Sequence, residues 1–166
     1  PVIVGKTPRE MVARDLEAAE LIVLASRLPE PMVAPLRSWL EKGRTLLWSI
    51  EPGDDGSLLA KLAGGGGIAC TEAAGGYAIL GEMHFEHPLL KPFAESGVRD
   101  FSRIRFWKHR VVSAPGNAGL HTVALFDDRN PAIFEKSVGA GRIVALASGW
   151  TSSESQLAVS SKFVPL

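Results

Sequence analysis

LIVLASRLPEPMVAPLRSWLEKGRTLLWSI, residues 21–50, is the stretch whose reading decides the fold. It opens with an apolar run and passes a proline-rich helix start at Leu28-Pro29-Glu30-Pro31. Apolar residues then recur at helical spacing at Met32, Val33, Leu36, Trp39 and Leu40, until Gly43 precedes a second apolar run. The pattern predicts strand, helix, strand. Neither flanking run alternates apolar with polar residues, so both are expected inside a parallel sheet covered on its two faces, with the helix as a right-handed crossover.

At 166 residues the chain has the size of one domain with a substantial core. Lysine plus arginine equals aspartate plus glutamate at 18 each, which gives no basic surplus to attract nucleic acid or an anionic membrane. Basic residues do gather at Arg99, Arg103, Arg105, Lys108, His109 and Arg110, but they alternate with Phe101, Ile104, Phe106 and Trp107. A strand over residues 101–112 with one wet face is the reading preferred to an RNA-stacking surface. Cys70 is the sole cysteine, which rules out an internal disulfide and a four-thiolate metal site. No apolar run approaches the ~20 residues that span a bilayer, and the N-terminus has no signal pattern. Apolar residues at both ends suggest a soluble domain taken from a longer protein.

In chain order, residues 2–4 read as a short strand. Thr7-Pro8-Arg9-Glu10 reads as a capping box, with Thr7 as N-cap, for a helix through Met11, Val12, Leu16 and Ala19. After the central unit, Glu51-Pro52-Gly53-Asp54-Asp55-Gly56 reads as a loop beyond the carboxyl end of a strand, where open α/β sheets bind ligands. Ser57 is placed to cap a short helix over residues 58–63. The glycines at 64–67 and 75–76 read as a mobile connection, lacking the Lys-Ser/Thr that a phosphate cradle needs. Strands are expected over residues 77–83, 101–112, 122–126, 132–138 and 142–147. The last three, joined by turns, form an antiparallel meander at the edge of the parallel core.

Candidate sites are sparse. A nucleophilic elbow would follow the strand ending at Ile50, but Trp48-Ser49-Ile50-Glu51-Pro52-Gly53 has no Gly-x-Ser/Cys-x-Gly, and Pro52 has no N–H to offer an oxyanion. Cys70 has no evident activating base in the sequence. His84, Glu86 and His87 form a compact cluster, yet Pro88 bends His87 out of a helix and a third metal ligand is missing, so no metal is expected. The ligand-lining candidates are Ser49, Glu51, Asp54 and Asp55 after the second strand, with Ser152 and Ser153 in the polar C-terminal segment.

Gly-Arg-Ile-Val-Ala-Leu-Ala-Ser at 141–148, the ending Ser-Gln-Leu-Ala-Val-Ser-Ser-Lys-Phe-Val-Pro-Leu, the His87-Pro88-Leu89 piece and the opening strand-helix-strand unit carry a resemblance. Together they resemble the amidotransferase-like domain of BatA-type aerotolerance-related bacterial membrane proteins, over most of the chain. The resemblance implies a three-layer, flavodoxin-like, class I glutamine amidotransferase-like mixed sheet, parallel at its core and antiparallel in its C-terminal strands. It also implies a membrane-anchored parent, with the side of the membrane left open between periplasmic and cytoplasmic, and the loss of the catalytic Cys-His-Glu set. This chain departs from active amidotransferases in the same way, since the elbow has no cysteine, and Glu86-His87-Pro88 falls too early and in reversed order. The expected function is therefore a non-catalytic binding or scaffolding domain without cofactors. Its expected partners are a protein or other domains of the parent chain. It is expected to meet a membrane only through segments outside these residues and not to bind nucleic acid. The alternatives are a hydrolase or amidotransferase with a displaced Cys70/His87 site oriented by Glu86, and a sugar- or nucleotide-binding module at the carboxyl-edge loops.

Overall fold

The structure, a computed structural model, describes residues 2–52, 55–95 and 99–162, with the side chain of Asn117 outside the description. The decisive stretch folds as read: β1 (Leu21–Leu24), α2 (Val33–Glu41) and β2 (Thr45–Ser49), with α1 (Ala13–Ala18) before them. α2 buries Leu36, Trp39 and Leu40, and the Trp39 indole N–H donates to the Ala19 carbonyl at 2.9 Å, which ties the helix to the end of α1. Gly43 ends the helix at φ +92°, a conformation that favours glycine.

β1 pairs parallel with β2, and β2 pairs parallel with β8 (Gly141–Leu146). β8 pairs antiparallel with β7 (Pro131–Val138), β7 with β6 (His121–Phe126), and β6 with β4 (Leu80–Met83), giving the order β1-β2-β8-β7-β6-β4. The meander thus joins the edge of the parallel β1-β2 pair, as expected, through β8. Its last strand is inserted into the centre. Gly141 permits this, because a Cβ there would collide with the carbonyls of Leu40 and Arg44 at the end of α2 and the entry to β2.

One sheet face carries Leu46, Trp48 and Ile143, all fully buried, on the side of α2 and α3 (Asp55–Ala63). The opposite face carries Val23, Leu47, Val144, Leu146 and Ile133. Together with Leu89 and Trp150 they line an apolar cleft of about 210 Å³. A short second sheet pairs β3 (Ala69–Glu72) with β5 (Arg110–Ser113).

Several sequence expectations are corrected. β1 is an edge strand, and Leu21 and Val23 remain 56% and 49% exposed, so it is not covered on both faces. Residues 2–4 form no strand and are exposed, and no described strand pairs with them. The Thr7–Glu10 pair forms, with Thr7 N–H donating to Glu10 Oε2 at 2.9 Å, but it closes a turn. The helix starts later, where Asp15 accepts from the Val12 N–H at 3.0 Å. α3 starts at Asp55, before Ser57, so Gly56 lies within a helix and not in the loop. Cys70 lies on a strand.

The expected long strand over residues 101–112 shrinks to β5. Phe101, Ile104, Phe106, His109 and Arg110 are all buried, a spacing that no half-buried strand produces. Turn hydrogen bonds from Ser102 N–H to Asp100 and from Ile104 N–H to the Phe101 carbonyl coil this segment, and only Phe106 bridges, to Ala78 and Ser155.

Candidate functional site

The loops at the carboxyl ends of β2 and β8 lie side by side. Ile50 N–H donates to the Leu146 carbonyl at 2.9 Å, and Ser49 Oγ donates to the Ser148 carbonyl at 2.9 Å. Ser49 is 4% exposed, and its hydroxyl proton is committed to a backbone acceptor, with no imidazole or carboxylate hydrogen-bonded to it among the described residues. The elbow position thus holds a structural serine. One residue further, Glu51 N–H donates to Asp55 Oδ2 at 2.8 Å, so the fully buried Asp55 carboxylate pins the loop to the first turn of α3. Asp55 is a brace and is not open to solvent. Asp54 lies outside the described residues.

Cys70 faces this corner from β3. Burial pushes its thiol up to about 11, the Asp55 charge pushes in the same direction, and Arg110 only partly offsets them. At neutral pH such a cysteine is a protonated apolar side chain. Gly56 brings α3 against it: a Cβ there would stand 2.8 Å from both Cys70 N and the Ile68 carbonyl.

Arg110, 2% exposed, is the polar centre that the sequence did not reveal. Its Nη2 contacts Glu154 Oε2 at 2.7 Å, and the same carboxylate accepts from Gly149 N–H at 2.8 Å. Nε and Nη1 have no hydrogen-bond partner among the described residues. Ser148 Oγ donates to the Lys108 carbonyl at 2.8 Å, and Ser155 Oγ to that of Gly149 at 3.0 Å. The first bond stitches the segment after β8 to the segment before β5, and the second closes the post-β8 loop on itself. Ser152 and Ser153 sit on the outer side of that loop, exposed, with Ser153 Oγ bonded to Thr151 Oγ1 at 2.9 Å. The structure therefore brings Ser49 beside the post-β8 loop and ties Glu51 to Asp55, but leaves Ser152 and Ser153 facing solvent.

His87 belongs to a different neighbourhood. Its Nδ1 accepts from Leu89 N–H at 3.2 Å and its Nε2 lies 3.3 Å from Glu135 Oε2, while its ring stacks on His121 with centroids 6.4 Å apart. With Nδ1 an acceptor, the neutral ring carries its proton on Nε2, and both nitrogens are engaged. No described hydrogen bond or ion pair joins His87 to Cys70. Glu86 is exposed, and the carboxylate that contacts His87 is Glu135, which reaches it across the fold from β7. Among the described residues no group of three or more His, Cys, Asp or Glu side chains is arranged to hold a metal ion.

A further histidine escaped the sequence reading. His109, 6% exposed, contacts Asp128 Oδ2 at 2.7 Å and packs on Phe126 with centroids 4.6 Å apart. Asp128 also accepts from the Asn130 backbone and side-chain amides at 3.0 and 2.8 Å, which shapes the β6–β7 turn and its positive-φ Arg129.

No protein-family model and no curated protein matches the chain. Solved structures do. A Salmonella typhimurium protein described as cytoplasmic superposes with a TM-score of 0.67 at 11% identity, over 93% of this chain and 71% of that one. A ThuA-like protein from Bacteroides uniformis gives 0.58 at 12% identity, over 87% and 66%. An exo-β-1,4-mannosidase from an Opitutaceae bacterium gives 0.52 at 17% identity over 79% of this chain, which spans only 21% of the mannosidase. At these identities the likeness is one of fold: a flavodoxin-like, class I glutamine amidotransferase-like mixed sheet with a parallel core and antiparallel C-terminal strands. No described helix is long and apolar enough to cross a membrane.

Proposed function

We propose that this chain is a non-catalytic binding or scaffolding domain that keeps an amidotransferase-like layout without its chemistry. The observation that carries the reading is the elbow: the side chain there is Ser49, buried and bonded to the Ser148 carbonyl, where a nucleophile would need an exposed thiol or hydroxyl beside a base. The raised Cys70 thiol and the doubly engaged His87 support it. In keeping with the sequence resemblance to BatA-type aerotolerance-related proteins, the parent is a membrane-anchored bacterial protein, and the partners of this domain are a protein or neighbouring domains of that parent.

The test is direct. Purified protein is expected to hydrolyse neither glutamine nor simple esters. Cys70 is expected to react with iodoacetamide far more slowly than a free cysteine at pH 7.5, with the rate climbing as pH approaches 11. Glutamine or ester hydrolysis abolished by Cys70→Ala would instead establish the competing hydrolase. The reading frame that carries this segment is expected to encode membrane-spanning helices outside it, and their absence would remove the membrane context.

A further inference from the structure

We propose that the groove between residues 77–79, residues 102–105 and Gln156 binds a nucleoside phosphate, whose base stacks beside Tyr77 and Trp107 and whose phosphate is held by Arg103 and Arg105. The groove has a volume of about 470 Å³ and is lined by Tyr77, Ile79, Ser102, Arg103, Arg105 and Gln156. That size is within the ~300–1,000 Å³ of small-molecule sites. It opens at the carboxyl edge of the sheet. Residues 77–79 lead into β4, whose first residue, Leu80, pairs with Phe126 at the carboxyl end of β6. Gln156 lies in the segment that leaves β8 at the same edge. Ligands of open α/β sheets collect there.

Three features select the ligand chemistry. First, Tyr77 and Trp107 are large aromatic side chains left 53% and 38% exposed, meeting edge to face with centroids 6.1 Å apart. Such a pair offers ring surface to a flat partner. Second, the Arg105 guanidinium lies 4.7 Å over the Tyr77 ring, and neither it nor the Arg103 guanidinium makes a hydrogen bond or ion pair among the described residues. Two guanidinium forks on one groove match the oxygens of a phosphate. Third, the backbone that carries Arg105 is fixed: its N–H donates to Gln156 Oε1 at 3.1 Å and its carbonyl accepts from Gln156 N–H at 2.9 Å. These bonds hold the loop that presents the arginine, while the guanidinium itself rests on the Tyr77 ring. A neighbouring carboxylate, Asp100, is held low by the Ser102 hydroxyl and N–H, with Arg103 and Lys162 adding to the effect, and its single charge is outnumbered by the two guanidiniums.

A single nucleotide fits these features better than a nucleic-acid strand, because the chain's zero formal net charge supplies no extended phosphate-tracking surface. The site does not involve Ser49, Cys70 or His87, so it stands or falls independently of whether the elbow is inactive.

Calorimetric titration with AMP, GMP, CMP and UMP tests the inference, with adenosine, inorganic phosphate and galacturonate as comparisons. At least one nucleotide is expected to saturate the protein at one site, at least tenfold more tightly than adenosine or inorganic phosphate. Tyr77→Ala and the double variant Arg103→Gln/Arg105→Gln are each expected to weaken it at least tenfold with an unchanged melting temperature. The proposal is overturned if no nucleotide saturates by millimolar concentration, if galacturonate binds more tightly than every nucleotide, or if the folded variants bind as well as the parent.

Discussion

Glu154 is the single side chain whose loss is expected to cost most. Among the described residues it is the only acidic contact of a guanidinium that is 2% exposed, and removing one member of a buried pair leaves an uncompensated charge. Glu154→Ala is expected to lower the unfolding free energy by about 3–5 kcal/mol in chemical denaturation, whereas Glu154→Leu combined with Arg110→Met should recover most of that loss. A double variant no more stable than the single one would assign the cost to lost loop hydrogen bonds, through Gly149, and not to charge burial. Gly56 makes a different demand. Gly56→Ala places a methyl against the β3 backbone, which cannot swing away as a side chain would, and is expected to cost about 1–3 kcal/mol. The sequence hid both residues for physical reasons. Gly56 sits among turn-forming neighbours that mimic a loop, and Arg110 ends a run of basic residues whose alternation with aromatics imitates a strand with a wet face.

At the scale of elements, the apolar periodicity of residues 21–50 suffices to place β1, α2 and β2, because burying those faces is what forms the elements. It does not reveal which strand stands at the edge, since an edge strand and a central one carry similar runs and differ only in what arrives later to cover them. Residues 2–4 mislead in the same way: their β-branched composition suits a strand, but strand formation needs a neighbour. The β6–β7 turn depends on Asp128. Burial acts to raise its carboxyl, but the two Asn130 amides and the His109 ring outweigh it and hold it below the usual carboxylate range. Its folded value is therefore below its unfolded value, so the stability it contributes is present above about pH 4 and disappears as pH falls through the folded value. A melting-temperature profile from pH 7 down to pH 2 is expected to fall less steeply in Asp128→Asn than in the parent. An unchanged acid limb would remove the role assigned to this carboxylate.

For the whole molecule, the arrangement has a consequence in time. β8 is the strand that joins two half-sheets, β1-β2 on one side and β7-β6-β4 on the other, yet it is the last of the described strands. As the polypeptide emerges during synthesis, the five strands that it connects, β1, β2, β4, β6 and β7, are all made before it. Until residues 141–146 appear, β2 and β7 each present an open row of backbone donors and acceptors to solvent or to a chaperone. A chain released after residue 140 is expected to lack a cooperative thermal transition and to associate with itself, and restoring residues 141–166 should return both cooperativity and monodispersity. The translating ribosome thus holds an incomplete sheet for most of this domain's synthesis, and the closing step is a single six-residue insertion between two waiting edges.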